Sequence, residues 1–243
     1  NPTVEAVAVV FMIISGMNFA LHFTAWRHAS AQPYFMDPEL KVYAALLAVF
    51  SVLISMLLFF AGTFDSLAAS FRYGAFQAVS AMTTTGFTTA SFHAWGGAIP
   101  VILMMLAFIG GCAGSTAGGL KVIRVILLYR QSIREIRRLV HPHAVLPIKV
   151  GGQKMSDTVL SAVWGFFFLY ITSFAVMTIL LTATGLDAET AYSAVGACIT
   201  NLGPGLGLAG PHYADLNDMA KAILCVAMLL GRLEIYTLLV LLT

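Results

Sequence analysis

The stretch Ala75-Phe-Gln-Ala-Val-Ser-Ala81 returns 116 residues later as Ala191-Tyr-Ser-Ala-Val-Gly-Ala197. Each copy runs into a glycine-centred loop, Thr83-Thr84-Thr85-Gly86-Phe87 in the first and Thr200-Asn201-Leu202-Gly203-Pro204 in the second. Both units lie between long apolar stretches. Ion-selective pores are lined by rings of backbone carbonyls from several converging loops. A duplicated unit of helix, half-helix, glycine loop and helix therefore predicts a pore.

The two half-helices are predicted at Asp65–Met82 and Asp187–Ile199, with an aspartate at or near each start as the N-cap. Gly86 and Gly203 permit a positive φ, which can turn successive carbonyl oxygens toward an axial path. The glycines are 117 residues apart, whereas the repeated phrases are 116 apart. The second copy is therefore expected to carry one extra residue at the end of its half-helix. A single loop of this kind could be an ordinary re-entrant turn, but two in matched context favour a filter.

Composition indicates a membrane protein. The chain of 243 residues is 59% hydrophobic and 10% charged, with a mean hydropathy of +0.89, whereas soluble domains carry about 25% charged residues. Crossing the hydrocarbon takes about 20 apolar residues. Two short stretches, Ala98–Ile109 and Val122–Leu128, together make one interrupted span, so we predict five spanning segments. The full set of apolar stretches is Val4–Phe23, Val42–Gly62, Ala98–Ile109, Val122–Leu128, Val159–Thr184 and Met219–Thr243.

The positions of the cations predict the orientation. Of 13 lysines and arginines, Arg27 and Lys41 flank the segment after the first helix, and eight lie between residues 121 and 154. The positive-inside rule makes both segments cytoplasmic. The opposite side holds Asp65, Asp187, Glu189, Asp215 and Asp218. This acidic side either concentrates cations at a pore mouth or merely faces water. The net charge of +2 comes from the cytoplasmic loops, so it indicates topology and not a nucleic-acid partner.

A glycine-rich segment interrupts the third apolar span. Residues 98–128 would form a helix of roughly 46 Å, longer than the ~30 Å hydrocarbon core, and each glycine costs about 1 kcal/mol in a helix interior. We therefore expect a non-helical loop or kink at Gly110–Gly119. A small-residue packing face between helices is the alternative, and a Walker A loop is excluded because Leu120 precedes Lys121. The candidate gate residues in this loop are Gly110, Gly111, Gly114, Ser115, Thr116, Gly118 and Gly119.

Arg232 lies about midway along the last apolar stretch, where a charge costs at least ~2.5 kcal/mol and needs a cavity or a partner. Glu234, two positions on, points elsewhere on a helix. We predict that Arg232 donates hydrogen bonds to carbonyls of the 110–119 loop and raises a barrier to cations; a structural salt bridge is the alternative. The pair His141 and His143 lacks further ligands for a metal site. No set of nucleophile, base and orienting group is visible, so no enzyme is predicted.

Four motifs together carry a family resemblance: Thr83-Thr-Thr-Gly-Phe-Thr-Thr89, Gly110-Gly-Cys-Ala-Gly-Ser-Thr-Ala-Gly-Gly-Leu-Lys121, Asn201-Leu-Gly-Pro-Gly-Leu-Gly207 and Gly231-Arg-Leu-Glu234. They resemble the C-terminal half of bacterial TrkH-type potassium uptake proteins, which group with KtrB and the plant HKT transporters. The resemblance implies an all-α membrane protein in which four helix–pore-loop–helix repeats surround one potassium-selective pore. Two repeats and one preceding helix are visible, so the chain is not expected to conduct alone.

The resemblance also implies an arrangement of segments. Residues 1–27 would close the preceding repeat, 28–40 form a cytoplasmic loop, 41–128 the third repeat, 129–156 a cytoplasmic basic segment and 157–243 the fourth repeat. Gly110–Gly119 and Arg232 would form the gate. It further implies a multi-pass protein of the bacterial inner membrane, a homodimer controlled by a cytosolic TrkA-type ring that binds nucleotides, and K⁺ as the transported ion without a tightly bound cofactor. A sodium-permeable or cation-coupled relative and a non-conducting membrane scaffold remain the alternatives.

Overall fold

The fold of the computed structural model is built almost entirely of helices. The structure describes residues 1–142, 144, 146–210 and 212–233. A two-stranded antiparallel hairpin, β1 with β2, lies in the basic segment between α7 and α8, and short 3₁₀ turns cover Phe92–Ala94 and Gly207–Ala209. The elements are α1 (Pro2–Ser15), α2 (Phe19–Arg27), α3 (Gln32–Met36), α4 (Pro38–Phe60), α5 (Leu67–Met82), α6 (Ile99–Ile109), α7 (Val122–Val140), β1 (Lys149–Val150), β2 (Gln153–Lys154), α8 (Asp157–Ala183), α9 (Ala188–Ile199) and α10 (Asp218–Arg232).

Two described helices are long and apolar enough to cross a membrane by themselves, namely α4 with 23 residues and α8 with 27. Each exposes large apolar side chains, such as Phe60, which is 81% exposed, and Ile179. Such surfaces suit a lipid environment and not water. α6 is apolar but has only 11 residues, and α10 is described over 15. The rest of the predicted span Met219–Thr243, with Glu234, lies outside the described residues, as does His143.

The first apolar stretch is not the uninterrupted helix that we predicted over Val4–Phe23. α1 and α2 meet at an angle of 90°, because the Asn18 side chain accepts the N–H of Ala20 and starts a new helix. The carbonyls of Ser15 and Gly16 at the break accept N–H groups from Thr116 and Cys112. The bend is therefore stabilised by distant residues of the glycine-rich segment.

The half-helices α5 and α9 occupy equivalent places in the two repeats. α5 packs mainly on α4 and α6, and α9 packs on α8 and α10. Asp187 is the N-cap of α9, as predicted, and accepts the N–H of Thr190 at 3.0 Å. That hydrogen bond keeps the pKa of Asp187 below its ordinary value. The prediction for α5 was wrong by one residue, because Ser66 and not Asp65 caps it by accepting the N–H of Ala69.

Candidate functional site: two filter-like loops and the glycine-rich loop beneath them

The two half-helices end in the same way. The hydroxyl of Thr83 donates to the carbonyl of Val79, and that of Thr200 donates to the carbonyl of Gly196, each at 2.8 Å. The following residues, Thr84 and Asn201, both have a positive φ, of 51° and 56°. Thr83 and Thr200 are 117 residues apart, and so are Thr84 and Asn201. The same offset already holds for Val79 and Gly196, in the last turn of each helix. The second half-helix therefore has no extra residue at its end, and that prediction was wrong. At this end of the helices the structures are equivalent at an offset of 117 residues, whereas the repeated phrases align at 116.

Most backbone carbonyls that follow each half-helix have no hydrogen-bond partner among the residues that the structure describes. Thr83, Thr84, Thr200 and Leu202 are buried, and a buried carbonyl normally has a hydrogen-bond partner. Within the described part of the chain, no donor reaches eight carbonyl oxygens of the two loops, those of Thr83, Thr84, Thr85, Gly86, Thr200, Asn201, Leu202 and Pro204. Oxygens of this kind can replace the hydration shell of a cation.

The next carbonyls along are bonded to the protein. The carbonyl of Phe87 accepts the hydroxyl of Ser80 at 2.7 Å. The carbonyl of Gly203 accepts the hydroxyl of Tyr213 at 2.6 Å. In each loop, one carbonyl is thus occupied by a side-chain hydroxyl of the protein.

The central glycines have the backbone conformation that the sequence predicted, with φ of 75° at Gly86 and 101° at Gly203. Their surroundings differ. A Cβ on Gly86 would overlap the carbonyl oxygen of Leu202 and lie 3.2 Å from Pro204 Cδ, whereas one on Gly203 would meet no heavy atom of the described residues within 4 Å. The two loops therefore touch at Gly86, where only a glycine fits.

The glycine-rich segment is a loop between two helices, as predicted. α6 ends at Ile109 and α7 begins at Val122. The chain doubles back, because the N–H groups of Leu120 and Lys121 donate to the carbonyls of Phe108 and Ile109, both at 2.9 Å. A Cβ on Gly110 would overlap the carbonyl of Gly118. The glycines thus let two backbone segments pack directly on each other.

Gly118 contacts both filter-like loops. Its N–H donates to the Thr84 hydroxyl at 2.6 Å. A Cβ at Gly118 would overlap the carbonyl oxygen of Thr200. A cavity of about 350 Å³ beside the glycine-rich loop is lined by residues that include Ser115, Asn201 and Arg232. A second cavity of about 580 Å³ is lined by residues that include Gly86 and Gly203, so the filter-like loops border both spaces.

Arg232 makes the contact that the sequence predicted. Its Nη1 donates to the carbonyl of Thr116, in the glycine-rich loop, at 3.2 Å. Among the described residues no carboxylate pairs with Arg232, while Glu234 lies outside them. Gly231 lets α10 approach α9 closely, because a Cβ there would overlap the carbonyl of Ile199. Arg232 thus joins the last helix to the loop.

Two residues that hold the glycine-rich loop were missed by the sequence analysis. Glu39 is 6% exposed, and its Oε1 accepts the N–H of Ala113 at 2.7 Å and that of Ile123 at 2.9 Å. The Lys121 amine donates to the carbonyls of Ser115 and Ala117. Lys121 could have been recognised because it lies two residues after the last glycine of the segment, Gly119. No local sequence pattern identifies Glu39, because its hydrogen-bond partners are 74 and 84 residues away along the chain.

The fold and the site define a class: an all-helical membrane protein with a duplicated half-helix and filter-like loop. The family model for TrkH, described as a cation transport protein, matches residues 1–243. The Trk system potassium uptake protein TrkH of Halomonas elongata is 47% identical over 100% of this chain and 50% of its own length. The TrkH of Escherichia coli K12 is 44% identical over the same shares. The chain therefore belongs to the TrkH family.

A solved structure of a TrkH protein has the same fold as this chain. The crystal structure of the potassium transporter TrkH from Vibrio parahaemolyticus superposes with a TM-score of 0.95 at 46% identity, covering 100% of this chain and 52% of that one. The all-α membrane fold predicted from the sequence is thus confirmed. The chain spans about half the length of the curated relatives that it matches.

Proposed function

We propose that the loops Thr83–Phe87 and Thr200–Pro204 form two of the walls of a potassium-selective filter, and that the protein takes up K⁺ across the bacterial inner membrane. The observation that carries the proposal is the set of eight carbonyl oxygens in the two loops without donors from the described residues. Glycine at both central positions is expected to favour K⁺ over Na⁺, because the family resemblance implies that some members of the wider family admit sodium when a filter glycine is replaced by serine. The relatives above are named potassium uptake proteins.

The gate in this proposal is the loop Gly110–Gly119 with Arg232. Gly118 lies directly against Thr84 and Thr200, so the loop obstructs the path of an ion that leaves the filter. Arg232 holds the loop through the carbonyl of Thr116 and adds a positive charge beside the path, which opposes cations. Opening requires the loop to move away from the filter.

The assembly is part of the same proposal. Two copies of the protein form a dimer, and a cytosolic TrkA-type ring that binds nucleotides controls the gate. These partners follow from the family resemblance. No tightly bound cofactor is assigned to the protein itself, and K⁺ is its cargo.

Uptake by living cells tests the function. The full-length protein expressed in a bacterial strain without its own potassium uptake systems is expected to restore growth at low K⁺, with K⁺ preferred over Na⁺ in flux measurements. Equal flux of the two ions would identify a sodium-permeable relative instead. A protein that reaches the membrane and carries neither ion would be the scaffold alternative.

Replacing Arg232 by alanine tests the gate. The variant loses a charge-assisted hydrogen bond, worth about 1.5–3 kcal/mol, and the local positive charge. We expect K⁺ flux to rise about tenfold or more, since 1.4 kcal/mol corresponds to a factor of ten. Arg232→Lys retains the charge and serves as the control, with a smaller increase. If flux and its control by the partner are both unchanged in Arg232→Ala, Arg232 has no part in gating.

A further inference from the structure

The basic segment after the glycine-rich loop forms a pocket that the pore does not use. A cavity of about 370 Å³ lies between α7 and the strand β1. Its lining combines four cationic residues, Arg130, Arg134, Arg137 and Lys149, with four apolar ones, Ile133, Leu146, Pro147 and Ile148. No acidic residue is among the described residues that line it.

The pocket has fixed walls. Arg130, Arg134 and Arg137 are spaced four and three residues apart, which places them on one face of α7. The Arg130 guanidinium donates to the backbone carbonyl of Lys149 and ties β1 to the helix. Ile148 beside it is buried in the main apolar core. Two elements therefore hold the cations around one cavity.

The charge of the pocket is only partly compensated. Arg134 pairs with Asp157 at 3.2 Å and with Glu135 at 3.4 Å. Among the described residues no carboxylate pairs with Arg137 or Lys149, and the guanidinium of Arg130 is bonded to a neutral carbonyl. Four cations thus face one cavity with a counter-charge on one of them. An oxyanion with several oxygens, such as a phosphate, suits this geometry because guanidinium groups bind phosphate in a bidentate manner.

The position of the pocket relative to the membrane indicates which molecule supplies the phosphate. Asp157, the partner of Arg134, is the first residue of the spanning helix α8, so the pocket lies level with the boundary between membrane and cytosol. On α7, apolar side chains next to the basic face are exposed, including Tyr129 at 66% and Leu139 at 84%. Basic residues beside exposed apolar ones are typical of helices at the surface of an anionic leaflet.

We propose that this pocket binds the phosphate headgroup of an anionic phospholipid from the leaflet on the side predicted to be cytoplasmic. Arg137 and Lys149 contribute most to binding, because they have no counter-charge among the described residues. The apolar lining residues, among them Ile133, accommodate the glycerol end of the headgroup. The site is separate from the filter, so the proposal does not depend on which ion the protein carries.

Native mass spectrometry of the purified full-length protein with added phosphatidylglycerol or phosphatidylcholine tests the site. We expect phosphatidylglycerol to bind about tenfold more tightly than phosphatidylcholine with the same acyl chains, and its affinity to fall as salt rises. In the double variant Arg137→Gln with Lys149→Gln, we expect the ratio of phosphatidylglycerol to phosphatidylcholine affinity to fall by about tenfold. Arg27→Gln removes a cation from the same predicted side of the membrane but outside the pocket, and should leave it unchanged.

Three outcomes would overturn the proposal: equal binding of the two lipids by the wild type, an unchanged preference in the double variant, or a loss of equal size in Arg27→Gln. Inorganic phosphate at millimolar concentration serves as a competitor. If it displaces the lipid completely from the pocket, the site takes free phosphate and the lipid assignment is wrong. If the double variant does not fold, Arg137→Gln and Lys149→Gln are measured singly, and each is expected to weaken binding about threefold.

Discussion

Replacing Gly86 by serine is expected to lower the preference of the protein for K⁺ over Na⁺ by about tenfold or more. Two physical effects act at once. The backbone at Gly86 has a φ of 75°, a conformation that costs a residue with a Cβ roughly 1–2 kcal/mol. The new Cβ would also overlap the carbonyl oxygen of Leu202 in the opposite loop. Relief of the overlap moves one of the unpaired oxygens, which changes the spacing that the proposed filter presents to an ion.

The measurement is the ratio of K⁺ to Na⁺ flux of the full-length protein in proteoliposomes. Gly62→Ser is the matched control, since Gly62 also has a positive φ, of 65°, but a Cβ there would meet no heavy atom of the described residues within 4 Å. It should leave the ratio unchanged. Gly203→Ser combines a positive φ with open surroundings among the described residues and should have a smaller effect than Gly86→Ser. An unaltered ratio in Gly86→Ser would refute the filter assignment.

The parts of the site that depend on local sequence were predictable. The half-helices and the positive φ at Gly86 and Gly203 follow from a repeated pattern and from the chemistry of glycine. The contact between Arg232 and the loop at Gly110–Gly119 was predictable for a different reason. A charge in an apolar helix needs a polar partner, and a glycine-rich break exposes carbonyls.

Other parts of the fold and of the site depend on hydrogen bonds between residues far apart in the chain, and no local sequence pattern predicts them. The bend between α1 and α2 lies within an apolar stretch that is typical of a single helix. Its carbonyls at Ser15 and Gly16 accept hydrogen bonds from residues about 100 positions further along the chain. Glu39 likewise looks like an ordinary acidic residue in a first helical turn, although it holds both ends of the loop. The extra residue predicted at the end of the second half-helix was wrong for another reason. Ala75–Ala81 and Ala191–Ala197 are similar in residue type at an offset of 116 residues, whereas the hydrogen bonds at the helix ends are equivalent at an offset of 117.

The bond between Thr84 and Gly118 links the proposed filter directly to the proposed gate. It joins the Thr84 side chain to the backbone of the glycine-rich loop at 2.6 Å, and Thr84 is 8% exposed. Thr84→Val retains the shape of the side chain and its branching at Cβ, so the cost of the φ of 51° changes little. It removes the acceptor for the Gly118 N–H. A buried donor without a partner costs about 1–3 kcal/mol, and that cost falls on the closed arrangement, in which the loop lies against the filter.

We therefore expect Thr84→Val to shift the loop toward the open arrangement by about 5- to 150-fold, measured as K⁺ flux through the full-length protein without its regulatory partner. Thr84→Ser keeps the hydroxyl and separates loss of the bond from other effects of substitution at this position; its flux should stay near that of the wild type. If valine and serine raise flux equally, the hydrogen bond is not the cause. If neither raises it, the loop is not held by Thr84. A rise in the valine variant alone, with a changed ratio of K⁺ to Na⁺ flux, would mean that movement of the proposed gate also alters the proposed filter, because Thr84 lies in the filter-like loop and bonds to the glycine-rich loop.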